Sequence, residues 1–475
     1  MSKRAKVLFI IHDLYQDDNR FPLGPAYLAA ILKNMGVEVE AYPMDVFHYT
    51  NEDLARHLDG NEYDLIGLGF LAARFTETVI DLCKVISTNK RNALFMLGGQ
   101  GPSPISEYVL RTTGADVVVV GEAENTIIDL LNCKLSGENL SKVPGIAFLN
   151  KGGFCYTGPN KLVRQLDEIP FPLWEIFPMK EYTAASKLFN QEPEEKSLMI
   201  INGRGCINRC NFCYRMEKGI RFRSVENIIE EMKILRNCYG VNNYFFEDEL
   251  FVFSKKRLLD FEAALAAAEL KIKFSCNARV DIFDEEIVEI LKRCGCQFIN
   301  IGFESSSDEV LKLMNKNTTV AQNIKVLETV KKVGGIGMGL NFIWNNFGDT
   351  EASLRKNAEL IKKYNTYYQC RTIRPVTPYP GSDLYYELIK AGKLTGPEDF
   401  FNRFKNSDLI LINLMEMPDS EAYRLLFEIN RELIFDHYAH VDGDMGVAEN
   451  MVQQLSDLYS GKKIKFRGTR HHDKK

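Results

Sequence analysis

The sequence predicts an α/β protein with two parallel sheets followed by a helical carboxyl-terminal region. Short, continuous apolar runs, such as residues 7–11, indicate parallel strands that are buried on both faces. These runs alternate with stretches of helical periodicity through the first 140 residues, and the alternation resumes at residue 198. With 475 residues, the chain is long enough for two or three such domains.

Residues 1–140 predict a doubly wound, Rossmann-like sheet. Strand-like runs and helix-like stretches alternate: strands at residues 7–11, 37–42, 65–68, 93–97 and 117–120, and helices at residues 25–35, 76–87 and 125–133. Because ligands bind beyond the carboxyl ends of such strands, we expect binding loops at residues 12–24, 69–76, 98–106 and 121–125. Gly98, Gly99 and Gly121 would let the backbone approach a large ligand closely.

Residues 141–197 predict a connector with a β-hairpin, because two strand-like runs flank a Lys-Gly-Gly sequence at residues 151–153. Residues 198–385 predict a partial (β/α)6 barrel. Its six strand-like runs are residues 198–202, 243–247, 273–278, 297–301, 337–342 and 368–373. An active site is expected at their carboxyl ends. Residues 386–475 predict a helical domain, with its clearest helix at residues 421–440 and a basic tail.

Composition excludes several classes of protein. The net charge is −5, and this lack of basic excess argues against a nucleic-acid partner. No apolar run reaches the roughly 20 residues that span a bilayer, so no membrane span is expected. The first apolar run is too short for a signal peptide, which with eleven cysteines predicts a reducing, cytoplasmic location.

The most informative motif is Cys206, Cys210 and Cys213, with the spacing C-x3-C-x2-C. Three thiolates on one short loop can bind three irons of a [4Fe-4S] cluster and leave the fourth iron open to a small molecule. A structural zinc site normally has four protein ligands, and this loop offers three. Zinc stays an alternative on spacing alone, as do cysteines that merely pack or form a disulfide.

This motif, with Phe212 before the last cysteine and Tyr214 after it, resembles the signature of the radical S-adenosylmethionine (SAM) superfamily. The resemblance implies that the open iron binds the methionine part of SAM and that reductive cleavage gives a 5′-deoxyadenosyl radical. It also implies a small-molecule substrate and an external electron donor such as flavodoxin or ferredoxin.

Polar residues follow several strands of the predicted barrel, where the same resemblance places contacts to SAM. They are Asp248 after the second strand, Arg279 after the third, and Glu304 and Ser305 at the fourth, with Tyr214 on the cysteine loop. The alternative for each is an ordinary surface charge at a strand end. The loop after the fifth strand departs from the family pattern, and its Trp344 is expected to shape a substrate pocket.

The amino-terminal loops resemble those of the cobalamin-binding domain that precedes the radical core in one subclass of this superfamily. The residues in question are Gly98, Gly99, Gly121 and Glu122. The sequence lacks the Asp-x-His-x-x-Gly motif that supplies histidine to cobalt in other cobalamin proteins. We therefore expect the loop at residues 69–76, with Phe70 and Arg74, to face the lower side of the corrin. Alternatively, Arg74 caps a surface helix.

A cobalamin domain beside a radical core implies methylation of an unactivated carbon. The alternatives are a cyclisation, dehydration or rearrangement on the same scaffold, and a cobalamin or redox sensor without turnover. The polar set at the strand ends argues against a sensor, which would not need it.

Overall fold

The fold is that of a computed structural model, which describes residues 4–13, 20–185, 191–441, 443 and 445–462. Three of the features expected from the sequence fall partly or wholly outside these residues. They are the first ligand loop at positions 14–19, the basic tail beyond residue 462, and the side chain of Arg74.

The amino-terminal sheet has seven strands in the order β2-β1-β3-β4-β5-β6-β7. These are β1 (Lys6–Ile11), β2 (Glu38–Pro43), β3 (Leu65–Gly69), β4 (Leu94–Gly98), β5 (Val117–Val119), β6 (Ile146–Asn150) and β7 (Gly153–Tyr156). The first five are parallel, which confirms the doubly wound sheet and puts its topological switch point between β1 and β3. The predicted hairpin, β6 and β7, extends this sheet antiparallel to β5.

Helices cover both faces of this sheet. They are α1 (Leu23–Asn34), α2 (Met44–Phe47), α3 (Asn51–Gly60), α4 (Glu77–Asn89), α5 (Ser106–Thr113) and α6 (Glu124–Ser136), and α7 (Met179–Ala185) follows in the connector. Both α3 and α5 were missing from the sequence analysis. The apolar spacing of α3 is weak, and a capping box between Thr50 and Asp53 starts it instead.

The second sheet has six parallel strands in the order β15-β14-β13-β12-β11-β8. The strands of this half of the chain are β8 (Lys196–Ile200), β9 (Gly203–Cys206), β10 (Gly219–Phe222), β11 (Val241–Phe246), β12 (Lys273–Ala278), β13 (Cys296–Glu304), β14 (Gly337–Trp344) and β15 (Arg374–Pro375). The helices between them are α8 (Val225–Tyr239), α9 (Lys255–Ala267), α10 (Glu285–Arg293), α11 (Asp308–Leu313), α12 (Val320–Val333) and α13 (Glu351–Tyr364). The predicted open βα barrel is confirmed.

Two strands differ from the prediction. The sixth strand is not at residues 368–373 but is the two-residue β15, which pairs with the end of β14. It stays short because Pro375 lacks a backbone donor. The antiparallel ribbon of β9 and β10 was not predicted, since glycines with positive φ at positions 205 and 219 hide its strand pattern.

The carboxyl-terminal helices join the two sheets to each other. They are α14 (Asp383–Lys390), α15 (Pro397–Arg403), α16 (Asp419–Val441), which confirms the predicted helix, and α17 (Met445–Tyr459). Buried side chains of α14 and α15 share a core with the amino-terminal sheet, whereas those of α16 share a core with the barrel. In the described part of the chain, no helix combines the length and apolar character that a membrane crossing requires.

A buried hydrogen bond also links the amino-terminal domain to the connector. The Tyr182 hydroxyl of α7 donates to both carboxylate oxygens of Asp45 in α2, at 2.9 Å each. Burial raises the pKa of Asp45 from 3.8 to about 7, although the hydrogen bond from Tyr182 opposes this rise.

This pKa predicts a pH-dependent stability. Between pH 3.8 and about 7 the folded state binds more protons at Asp45 than the unfolded state, so ionisation there destabilises the fold as pH rises. Wild type is expected to lose stability relative to Asp45→Asn across this window and to show a constant difference above it. Urea unfolding of both proteins at several pH values measures this difference. A flat difference between wild type and Asp45→Asn across this window would contradict the prediction.

Candidate active site

The three cysteines lie on the loop between β9 and β10, at the carboxyl end of β8. Cys206 ends β9, Cys210 is buried and Cys213 is exposed. Backbone and side-chain hydrogen bonds fix this loop on both sides: Asn211 N to Met314 O (2.9 Å), Leu384 N to Asn211 O (2.8 Å) and Asn315 Nδ2 to Arg209 O (2.7 Å). The loop is therefore held in place by the segment that follows α11 and by the first turn of α14.

The chemistry of the thiols fits a cluster. Burial raises the pKa of the Cys210 thiol, so binding of iron there must displace a proton. Arg279 Nη1 lies 3.7 Å from Cys210 Sγ and donates a hydrogen bond to that sulfur. Among the described residues, no three His, Cys, Asp or Glu side chains converge on a single ion. Cluster cysteines each bind a different iron, so they need no such convergence.

The cysteines open into a cavity of about 450 Å³, here called the cluster cavity. Three of the residues for which contact with SAM was predicted line it, namely Tyr214, Arg279 and Glu304. Lys316 also lines it and was missed, because it lies in a loop between two helices rather than at a strand end. Its Nζ is 2.7 Å from Glu304 Oε1. This ion pair holds Glu304, whose φ of 63° is unusual for a non-glycine residue.

Asp248 supports the backbone turn that leads into the cysteine loop. Its carboxylate accepts hydrogen bonds from the backbone amides of Asn202, at 2.9 and 3.0 Å, and of Gly203. Burial raises its pKa to about 7, and the amide donors oppose that rise. Asp248 thus fixes the turn between β8 and β9, which leads directly to Cys206.

Ser305 was expected to contact SAM, and the structure contradicts this. Its side chain is fully buried, and its Oγ accepts a hydrogen bond from the backbone amide of Ser307 at 3.2 Å. The backbone turns at Glu304, so the side chain that follows points into the fold rather than into the cluster cavity. Ser305 organises the start of α11.

A larger cavity of about 660 Å³ lies at the carboxyl ends of β3, β4 and β5 and is here called the corrin cavity. Four residues predicted to bind cobalamin line it: Gly98, Gly99, Gly121 and Glu122. Four more glycines come from the amino-terminal domain and the ribbon strand β9 in the same lining: Gly24, Gly69, Gly203 and Gly205. A wall made largely of backbone suits a broad, flat ligand, so the residues fit a corrin ring.

Ion pairs link the wall of the corrin cavity to the ribbon of β9 and β10 that holds the cysteine loop. Arg204 of β9 pairs with Glu122 at 3.1 Å and with Glu124 at 2.6 Å, and all three side chains are at least four-fifths buried. Arg221 of β10 also donates to Glu122, at 3.2 Å. Glu122 is therefore an interdomain partner of two arginines as well as a wall of the cavity.

Phe70 does not face the corrin cavity, contrary to the expectation. Its ring is buried and stacks on Phe75 at a centroid distance of 4.9 Å. A Cβ at Gly101 would lie within 2.8 Å of Phe70, so the close approach of these two segments turns Phe70 into the core. Leu71, the next residue, is 54% exposed and lines the cavity in its place.

The loop after β14 also differs from its expected role. Trp344 is fully buried, and its Nε1 donates to Thr350 O at 3.1 Å, so it cannot shape a pocket. Asn345 bonds the carboxyl-terminal segment twice, with its Nδ2 2.9 Å from Ile412 O and its Oδ1 3.1 Å from Leu414 N. This loop fixes the segment that leads into α16.

Comparison with known proteins agrees with this architecture. Residues 200–361 match the radical SAM superfamily and residues 19–131 match the B12 binding domain. An uncharacterized methyltransferase of Pyrococcus horikoshii is 29% identical over 78% of this chain and 78% of its own length. The anaerobic magnesium-protoporphyrin IX monomethyl ester cyclase of Cereibacter sphaeroides is 26% identical over 77% of this chain, which spans 60% of that enzyme.

A solved structure shares the whole fold. The radical SAM methyltransferase TsrM of Kitasatospora setae, with cobalamin and a [4Fe-4S] cluster bound, superposes with a TM-score of 0.70 at 15% identity. The match covers 96% of this chain and 100% of that chain.

The fold and the two cavities thus define an enzyme with a radical core and a corrin-binding domain. The chain belongs to the radical SAM enzymes that carry an amino-terminal B12-binding domain. Its cofactors are a [4Fe-4S] cluster, SAM and cobalamin.

Proposed function

We propose that this enzyme methylates an unactivated carbon of a small-molecule metabolite or biosynthetic intermediate. One observation carries the proposal: the cluster cavity and the corrin cavity share a wall formed by Arg215, Glu249 and Asn277. Because the two cavities adjoin, a radical formed in one and a methyl group held in the other could reach the same substrate.

When bound, the cluster and SAM supply a radical that abstracts hydrogen, and cobalamin supplies the methyl group. The protein's own residues orient these groups. In this proposal Arg279 and Glu304 contact SAM, with Arg279 offering a planar fork to a carboxylate or to ribose oxygens. Glu249 accepts a hydrogen bond from Gly205 N at 3.0 Å and so links the shared wall to the ribbon of β9 and β10.

The products distinguish this proposal from its alternative. After anaerobic reconstitution with iron, sulfide and cobalamin, the enzyme is given reductant, SAM and candidate substrates. Methyl transfer produces both 5′-deoxyadenosine and S-adenosylhomocysteine. The second candidate, a radical cyclisation or rearrangement, is favoured by the similarity to the magnesium-protoporphyrin cyclase and produces 5′-deoxyadenosine alone.

We further propose that cobalt receives no histidine from this domain. The lining of the corrin cavity includes no histidine among the described residues, and Leu71 lies on the loop expected to face the lower side of the corrin. Arg74 stays a candidate on the same loop.

This proposal predicts that the bound cob(II)alamin shows no histidine nitrogen coupling in its electron paramagnetic resonance (EPR) spectrum. Leu71→His is expected to introduce that coupling, since the new imidazole would replace a side chain that lines the cavity. Leu135→His is the matched control, because Leu135 is also 54% exposed but lies on α6 outside the cavity. Histidine coupling in the wild type would contradict the assignment.

We also propose that the chain is organised in four parts. We assign residues 1–140 to cobalamin binding, 141–197 to the connector, 198–385 to the radical core and 386–475 to the helical domain. The hairpin at the start of the connector completes the first sheet. An external donor such as flavodoxin or ferredoxin would reduce the cluster. None of the eleven cysteines forms a disulfide, which supports a reducing compartment such as the cytoplasm.

A further inference from the structure

A third cavity, of about 450 Å³, lies where the other two cavities meet. It shares Leu71 and Gln100 with the corrin cavity, and Phe212, Cys213, Tyr214 and Glu304 with the cluster cavity. A molecule in this cavity would border both cofactors at once. That position is the one a substrate must occupy if it is to lose a hydrogen to one cofactor and gain a methyl group from the other.

The walls of this third cavity are mostly apolar and are contributed by both domains. Ala72 and Ala73 come from the loop after β3, Ile343 from β14, and Val376 from the segment after β15. The volume falls within the range of about 300 to 1,000 Å³ that is typical of small-molecule sites. The body of the bound molecule should therefore be small and largely apolar.

Arg374 supplies the cationic group in the wall, and neither of the other two cavities shares it. Its Nε donates to Asp408 Oδ1 at 3.0 Å, and the Asp408 side chain is only 3% exposed. The terminal nitrogens of Arg374 make no hydrogen bond to another described residue, and the side chain keeps 41% exposure. Asp408 thus orients the guanidinium and leaves its outer edge available to a bidentate oxyanion.

The charges of the wall orient the bound molecule. Glu304, already paired with Lys316, carries a carboxylate on the part of the wall shared with the cluster cavity. The Glu304 carboxylate offers an anion no hydrogen-bond donor, whereas the terminal nitrogens of Arg374 do. The reacting carbon then lies toward the cofactors, and the anion lies away from them.

We propose that the third cavity is the substrate pocket, and that the substrate is a small organic anion whose carboxylate or phosphate group binds Arg374. Its apolar body packs against Ala72, Ala73 and Ile343. This inference rests on the proposed function, because it takes for granted a substrate placed between the two cofactors.

Binding of paired probes tests the inference without turnover. The enzyme is loaded with cluster, cobalamin and SAM, and reductant is omitted. Phenylbutanoate is titrated against the neutral phenylbutanamide, and phenyl phosphate against phenol, with affinities measured by calorimetry. Wild type is expected to bind at least one anion about tenfold more tightly than its neutral partner, as a charge-assisted bidentate pair provides. The stronger arm identifies the group as carboxylate or phosphate.

Arg374→Gln should abolish this preference. Arg355→Gln is the matched control, because Arg355 also donates through Nε to a carboxylate, at 2.8 Å from Glu351, but lies on the exposed face of α13. Ala73→Phe should weaken anion and neutral probe alike, which keeps the pocket testable if Arg374→Gln does not fold.

Equal affinities for anion and neutral probe, an unchanged preference in Arg374→Gln, or no binding of either anion would overturn the inference. The outcome of the product assay does not depend on these binding results. Formation of 5′-deoxyadenosine and S-adenosylhomocysteine together with any of these binding results would leave the proposed function standing and remove only the anionic substrate.

Discussion

Cys210→Ala is expected to abolish formation of 5′-deoxyadenosine from SAM. Cys210 is the buried member of the three cysteines, and a cluster that lost this ligand would keep only two protein thiolates. The loss should exceed the roughly 10- to 100-fold effects that follow from changing residues around metal ligands. Iron content, the absorbance of the reconstituted cluster and the yield of 5′-deoxyadenosine measure it.

Cys238→Ala is the control for this experiment, because Cys238 is an exposed cysteine on α8, away from the loop. It should retain the cluster and the yield of 5′-deoxyadenosine. If Cys210→Ala also kept both, the assignment of the cluster ligands would be wrong.

Arg204→Ala should destabilise the fold strongly, because it removes a buried ion pair between the two domains. The substitution leaves Glu124 buried without the 2.6 Å partner it has in the wild type. Breaking a buried ion pair costs about 3 to 5 kcal/mol, and the low end of that range applies because Arg221 still neutralises Glu122. The free energy of unfolding measured with urea should fall. The affinity for cobalamin should fall as well, since Arg204 lines the corrin cavity.

The comparison for Arg204→Ala is Arg424→Ala, which removes an exposed ion pair with Glu428 on α16. Exposed pairs of this kind contribute about 0 to 1 kcal/mol, so the control should unfold almost as the wild type does. Equal effects of the two substitutions would show that the charged network between the domains is not stabilising.

Much of the fold followed from periodicity because its strands are buried on both faces. Strand β12 has the predicted bounds, Lys273–Ala278, and helix α16 (Asp419–Val441) covers the helix predicted at residues 421–440. Continuous apolar runs and helix caps are local signals, and they mark most strands and helices of both sheets. The cysteine spacing is local as well, which is why it indicated the chemistry.

The site residues that the sequence analysis misplaced or missed depend on contacts between distant segments. Phe70 and Leu71 are adjacent and both apolar, and only the approach of Gly101 decides which of them reaches the cavity. Lys316 reaches Glu304 from a loop whose position no periodicity records. The guanidinium of Arg374 is likewise oriented by Asp408, which is 34 residues away in sequence. These tertiary relations override local patterns, so a single sequence does not reveal them.

The central claim is that both cofactors belong to one active site, and one spectroscopic measurement tests it most directly. In the enzyme loaded with both, the reduced cluster and cob(II)alamin are each paramagnetic, and their EPR spectra report whether the two centres are neighbours. Because the two cavities share Arg215, Glu249 and Asn277, the account predicts a spectrum split by dipolar coupling between them. A spectrum that is only the sum of the two separate signals would contradict it.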